Sequence, residues 1–101
     1  MTDTLMLPAP QIRTHGLDAA AWEDYASEQV TAALRQAPAP VRKIRLLISS
    51  QQTHDRIDAH VEIDGVVLHA HAAGRTVQEA ADLVGERLRG QLRRLRRRPV
   101  R

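Results

Sequence analysis

Residues 56–72, RIDAHVEIDGVVLHAHA, decide how this chain folds. Asp64-Gly65 is a type I′ turn dipeptide between two alternating segments. A two-residue turn makes Ile63 pair with Val66, Val61 with Leu68, Ala59 with Ala70 and Ile57 with Ala72. Side chains alternate across a strand, so these eight share one face, and that face must be buried. The stretch therefore predicts a β-hairpin with one apolar side.

Upstream, the period of two begins at Val41: Ile44, Leu46 and Ile48 alternate with Lys43, Arg45 and Leu47, as in a half-buried strand. Residues 49–56 (SSQQTHDR) are polar and predict a loop. Further back, Trp22, Ala26, Val30 and Ala33 fall on one face of a helix, with Glu23, Asp24 and Glu28 towards solvent and Asp18 as its N-cap. That helix must stop before Ala37-Pro38-Ala39-Pro40, because proline disfavours helix at the residue ahead of it. A short strand is expected around Ile12 and Arg13, after a flexible tail over residues 1–10.

Downstream, Thr76 and Glu79 form a capping box. Val77, Ala81, Val84, Leu88, Leu92 and Leu95 then make one continuous helical stripe, ended by Pro99. The order is β-α-β-β-β-α. Two striped helices and a sheet with one apolar face predict an α+β two-layer sandwich, a four-stranded sheet with both helices on one face.

Charge is distributed unevenly over this plan. Residues 1–86 carry 7 Lys+Arg against 12 Asp+Glu, whereas residues 87–101 carry 8 arginines and no acid. An acidic body with a basic end implies a polyanionic partner. Of the 15 basic residues all but Lys43 are arginine, whose planar fork suits phosphate. Arg87, Arg89, Arg93, Arg94, Arg96, Arg97 and Arg98 surround the polar arc opposite the leucines. The pairs Arg89/Arg93, Arg93/Arg97 and Arg94/Arg98 are like charges at i,i+4, each costing about 0.2–0.5 kcal/mol. A merely solvated face does not need that density, and phosphate contacts would use it. Arg42, Lys43 and Arg45 are candidates to extend the footprint, with Arg75 at the start of the second helix.

Other chemistries find little support. The chain has no cysteine, Gly-rich phosphate loop or nucleophile elbow, and Ser49, Ser50, His54 and Asp55 lie together only in a polar loop, so no catalysis is expected. The register sets His60 opposite His69, with His71 two residues along and Asp58 across from it, all on the outward face. A Zn²⁺ site there is geometrically conceivable. Nothing else closes it, and a row of exposed cross-strand side chains needs no metal, so no metal or cofactor is expected. Uncharged, these histidines could instead stack on RNA. The N-terminus has no signal-peptide pattern, and no segment approaches the roughly 18 apolar residues of a membrane span, so a cytoplasmic protein is expected.

The hairpin HVEIDGVVLHAHAAG (60–74), the stretch GRTVQEAADLVGERLRGQLRR (74–94) and the opening IRTHGLDAAAWEDYASEQV (12–30) together resemble the ribosome hibernation promoting factor family, with the opening most like its actinobacterial branch. The Arg87-Leu88-Arg89-Gly90-Gln91-Leu92 run is similar to the basic-Leu-x-x-Gln-Leu pattern of that family's second helix. The likeness spans residues 11–98, which become the expected domain, with 99–101 as a tail. It implies binding to ribosomal RNA in the decoding region of the small subunit, where messenger and transfer RNAs would sit, and so inhibition of translation under stress. Longer relatives add a C-terminal domain that pairs two ribosomes, so this chain is a short member or the N-terminal domain of a longer one. Many relatives carry lysines on the first helix, which is acidic here, and this shifts the expected RNA footprint to the second. Two alternatives stay open: a general double-stranded RNA-binding domain, and a protein-interaction module using the acidic first helix and the open sheet face.

Overall fold

The computed structural model describes residues 7–16 and 19–97, with only the backbone described at 19, 20, 96 and 97. Strand β1 (Gln11–His15) is followed by a 3-10 turn (Ala19–Trp22) that runs into helix α1 (Glu23–Leu34). Strands β2 (Val41–Ser50), β3 (Asp55–Ile63) and β4 (Val66–Gly74) lead to helix α2 (Val77–Arg97). The sheet order is β1-β2-β3-β4, with β1 parallel to β2 and the other neighbours antiparallel. Both helices pack on one face, giving the expected α+β sandwich.

The hairpin has the register read from its turn: Ile63 faces Val66, Val61 faces Leu68, Ala59 faces Ala70 and Ile57 faces Ala72. All but half-buried Val66 are buried. The turn itself differs from expectation. Only Gly65 has a positive φ, 78°, so Asp64 does not adopt the left-handed conformation that type I′ requires, and the signs are those of a type II turn. Asp64 is tied to the start of β2 instead. Its N–H donates to the Pro40 carbonyl at 3.3 Å, and its carboxylate takes Arg42 Nη2 at 3.1 Å.

A bulge at Val41–Lys43 makes that second contact. By strict alternation Arg42 would share the face of Ile44, Leu46 and Ile48; the extra residue turns it out of the core. At the far end, the strands run further than the polar residues suggested. Ser49 pairs with Arg56 and Ser50 with Asp55, leaving only 51–54 as the connection, closed by Gln51 N–H to the His54 carbonyl at 2.9 Å. Backbone pairing does not depend on the polarity of these side chains.

The core is aliphatic throughout: Val30, Leu34, Ile44, Ile48, Ile57, Val61, Val77, Val84, Leu88 and Leu92 are all essentially inaccessible. Each such side chain contributes about 1.5–3 kcal/mol. Trp22 and Tyr25 pack edge to face at its margin, ring centroids 5.9 Å apart. The Tyr25 hydroxyl donates to Asp82 Oδ1 at 2.6 Å and joins α1 to α2. The Asp82 carboxylate, by accepting that bond, raises the phenol's pKa.

The helix ends differ in construction. The Thr76 hydroxyl accepts the Glu79 N–H at 3.0 Å, and Glu79 Oε1 reaches back to the Arg75 N–H at 2.7 Å, one residue before the usual position of a capping box. Helix α1 has Trp22 at its N-cap and no side-chain cap bond there. Asp18, expected to cap it, lies outside the described residues, as do residues 1–6 of the expected tail, Arg98 and Pro99. Leu7 packs against the core. Gly16, at φ 104°, ends β1 where a Cβ would come within 2.7 Å of the Ser50 carbonyl oxygen.

Candidate nucleic-acid interface

Helix α2 is 21 residues long, about 30 Å at 1.5 Å per residue, and its charge changes sign halfway. Glu79, Asp82 and Glu86 lie in the first half, and Arg87, Arg89, Arg93, Arg94, Arg96 and Arg97 in the second. Acids near the N-terminus and arginines near the C-terminus both suit the helix dipole. Val77, Ala80, Ala81, Val84, Leu88 and Leu92 bury the opposite stripe against the sheet, with Leu95 half-buried. The expected stripe is present, and of the expected polar arc the side chains of Arg87, Arg89, Arg93 and Arg94 are described.

The arginines have different local roles. Arg87 Nη1 donates to the His71 carbonyl, and Gln91 Nε2 to the His69 carbonyl at 2.9 Å. Strand β4 is an edge of the sheet, and these bonds cover carbonyls that would otherwise be open to another strand. Arg87 therefore also holds helix to sheet. Arg89 is half-buried, while Arg93 and Arg94 are exposed and have no ion pair among the described residues. Arg96 and Arg97 continue the helical backbone.

The remaining candidates lie elsewhere. Arg42 sits at the Asp64–Gly65 end of the sheet, paired with Asp64 on an exposed surface. Such a pair contributes at most about 1 kcal/mol and leaves the guanidinium accessible. Near this end, Val66, Leu68, Gln91, Arg94 and Leu95 line a shallow groove of about 400 Å³. Arg75 is at the opposite end of α2, some 30 Å away. Lys43 and Arg45 point outward from the sheet, away from both helices. Among the described residues, Arg75 and the outward-facing Lys43 and Arg45 thus stand apart from the arginines of α2.

Sequence reasoning passed over what joins two of these places. His69, Ala70, His71, Arg87, Gly90, Gln91 and Arg94 line a concavity of about 290 Å³ along the β4 edge. Around that edge the surface continues onto the open face, where His60 and His69 stack with centroids 4.1 Å apart. His71 lies 5.7 Å from His69. Asp58 accepts two bonds from Arg56, Nε to Oδ2 and Nη2 to Oδ1, both at 3.1 Å, with His69 Nε2 at 3.7 Å from Oδ1. The Arg56 bonds hold the carboxyl below its ordinary pKa. Among the described residues, no group of three or more His, Cys, Asp or Glu side chains is arranged to hold a metal ion. Nor, among them, is any helix long and apolar enough to cross a membrane.

Comparison with known proteins places this geometry. A ribosomal subunit interface protein from Coxiella burnetii superimposes with a TM-score of 0.69 at 18% identity, covering 88% of this chain and 98% of that one. The N-terminal domain of Thermus thermophilus Protein Y gives 0.73 at 19% identity, covering 89% and 99%. At these identities the likeness is one of fold. No curated protein matches the chain significantly. The family model for sigma 54 modulation protein / S30EA ribosomal protein matches residues 11–99, which takes in every strand and both helices. The chain belongs to that family of ribosome-associated factors.

Proposed function

We propose that this domain binds the small ribosomal subunit at the decoding region, occludes the path of messenger and transfer RNA, and so holds translation down under stress. The observation that carries this reading is the C-terminal half of α2. There a buried leucine stripe and the bonds from Arg87 and Gln91 fix the helix on the sheet, while Arg93 and Arg94 stand exposed with no ion pair among the described residues. Exposed guanidinium groups on a fixed helix suit phosphates in a folded RNA, read by backbone and shape rather than by base edges in a narrow A-form groove. Membership of a ribosome-associated family supports the ribosome as that RNA's source. The role needs no catalysis, and the cytoplasm is where it would act.

The test is co-sedimentation with purified 30S, 50S and 70S particles, comparing the native chain with one in which Arg93, Arg94, Arg96 and Arg97 are all changed to Glu. Saturable pelleting with 30S and 70S, lost in the variant and resistant to excess duplex RNA, is expected. Pelleting that the variant retains would move the contact away from α2. Absence of pelleting at low salt would overturn the ribosomal reading.

A further inference from the structure

The helices cover one face of the sheet and leave the other open. Registered pairing arranges that open face in transverse rows about 4.8 Å apart from strand to strand. One row reads Gln11, Arg45, His60, His69; the next reads Arg13, Leu47, Asp58, His71; a third reads His15, Ser49, Arg56, Ala73. At the other end Lys43 lies across from Glu62, and Glu62 across from Val67.

Three features of this face point to one kind of occupant. It is basic: Arg13, Lys43, Arg45 and Arg56 stand against Asp58 and Glu62, and Arg56 neutralises Asp58 through two hydrogen bonds. It offers flat rings: His60 and His69 stack at 4.1 Å with 22° between planes, both side chains exposed. It is poor in apolar surface, since Leu47 (36% exposed) and Val67 (66%) are its large exposed hydrophobics and stand in different rows. A protein interface usually has a contiguous apolar centre, which this face lacks. Beside the rings, Gln11, Arg13, His15, Arg45, Leu47, Asp58 and His60 line a shallow concavity of about 550 Å³.

We propose that the open sheet face is a second RNA-binding surface, for unpaired, unstacked nucleotides. Bases would stack on the His60–His69 pair and against Leu47, and phosphates would lie on Arg45 and Arg13. Stacking on histidine and arginine planes requires bases splayed out of a helix, so this surface discriminates against duplex. The β4 edge, with His71, Arg87 and Arg94, connects it to the arginines of α2, so one RNA strand leaving a helical segment can pass round the edge onto the sheet. The proposal rests on the function above only in taking the polyanion to be RNA.

The test is fluorescence anisotropy with a labelled single-stranded 12-nucleotide RNA of unstructured sequence and with the same strand annealed to its complement, at low salt. Four proteins are compared: wild type, His60→Ala/His69→Ala, Arg45→Ala, and Arg93→Glu/Arg94→Glu. The substituted side chains are exposed, and thermal unfolding would verify that each variant is folded. The wild type is expected to prefer the single strand. The histidine pair should lose about tenfold in single-strand affinity, as one lost base stack implies, and Arg45→Ala should lose affinity and salt dependence together. The helix variant, which reverses Arg94 on the connecting edge, should lose less single-strand affinity than the histidine pair while losing 30S sedimentation. Single-strand binding unchanged in the histidine variant, or a wild-type preference for duplex, would overturn the proposal. Failure of 30S pelleting with a positive single-strand result would instead overturn the ribosomal reading and leave this surface standing.

Discussion

The two halves of α2 share one apolar stripe and differ in where their polar side chains are used. In the first half they are spent inside the molecule: Thr76 and Glu79 close the helix start, and Asp82 takes the Tyr25 hydroxyl. In the second half Arg87 and Gln91 reach the β4 edge, but Arg93 and Arg94 contact no acid among the described residues. The first half anchors the helix; the second presents charge at some cost to the helix itself. Stability and binding should therefore separate along a single element.

The largest expected effect tests whether the halves are mechanically one. Leu88, at their junction, is fully buried, and Leu88→Ala should lower unfolding free energy by about 2–5 kcal/mol in urea melts. The transition should stay single if the halves are one unit; a second, earlier transition would separate them. Thr76→Ala comes next. Losing the cap should cost about 1 kcal/mol with salt dependence of 30S binding unchanged, because the first half makes no phosphate contact in the proposed mode. A changed salt slope would extend the interface towards Arg75.

A smaller effect contrasts α2 with the sheet. Asp58 has its pKa lowered by Arg56, so the pair's stabilisation is fully present above the unfolded value, about pH 3.9, and is lost as pH falls through the depressed folded value. Asp58→Asn should therefore melt lower than wild type at pH 6, and the gap should close under strongly acidic conditions. The partly exposed Arg56 keeps the difference small. A gap constant with pH would assign it to something other than this ion pair.

Much of this architecture was legible because it rests on periodicity. The hairpin register follows from two alternating segments and a two-residue turn, and it holds although the turn type does not, since Pro40 and Arg42 fix Asp64 from another strand. The strand ends at Ser49–Ser50 and Asp55–Arg56 were hidden by their polar side chains, because their pairing is made by backbone. The bulge at Arg42 left no trace in composition. In the candidate site, the α2 arc was readable from helical spacing. The diversion of Arg87 and Gln91 to the β4 carbonyls was not, because it depends on which edge strand lies beneath the helix. The outward direction of Lys43 and Arg45 was readable from strand alternation, whereas that of Arg42, near the groove lined by Arg94, depends on the bulge.

The smallest expected change has opposite signs in the two properties being compared. Arg93 lies four residues from both Arg89 and Arg97, so Arg93→Ala removes two like-charge pairs, about 0.2–0.5 kcal/mol each, and introduces a better helix former. It sits just before the last turn of α2 (94–97), where attraction to the helix dipole has largely fallen away, so little is lost in exchange. Thermal stability should rise slightly at low salt, and the gain should shrink as salt screens the repulsion. If Arg93 holds a phosphate, the slope of log affinity for 30S against log salt should at the same time fall by about one. A more stable protein that binds less tightly means that the second half of α2 trades stability for contact with RNA. A variant that is more stable and binds with an unchanged slope would make Arg93 a solvated bystander and shift the phosphate contacts to Arg94 and the β4 edge.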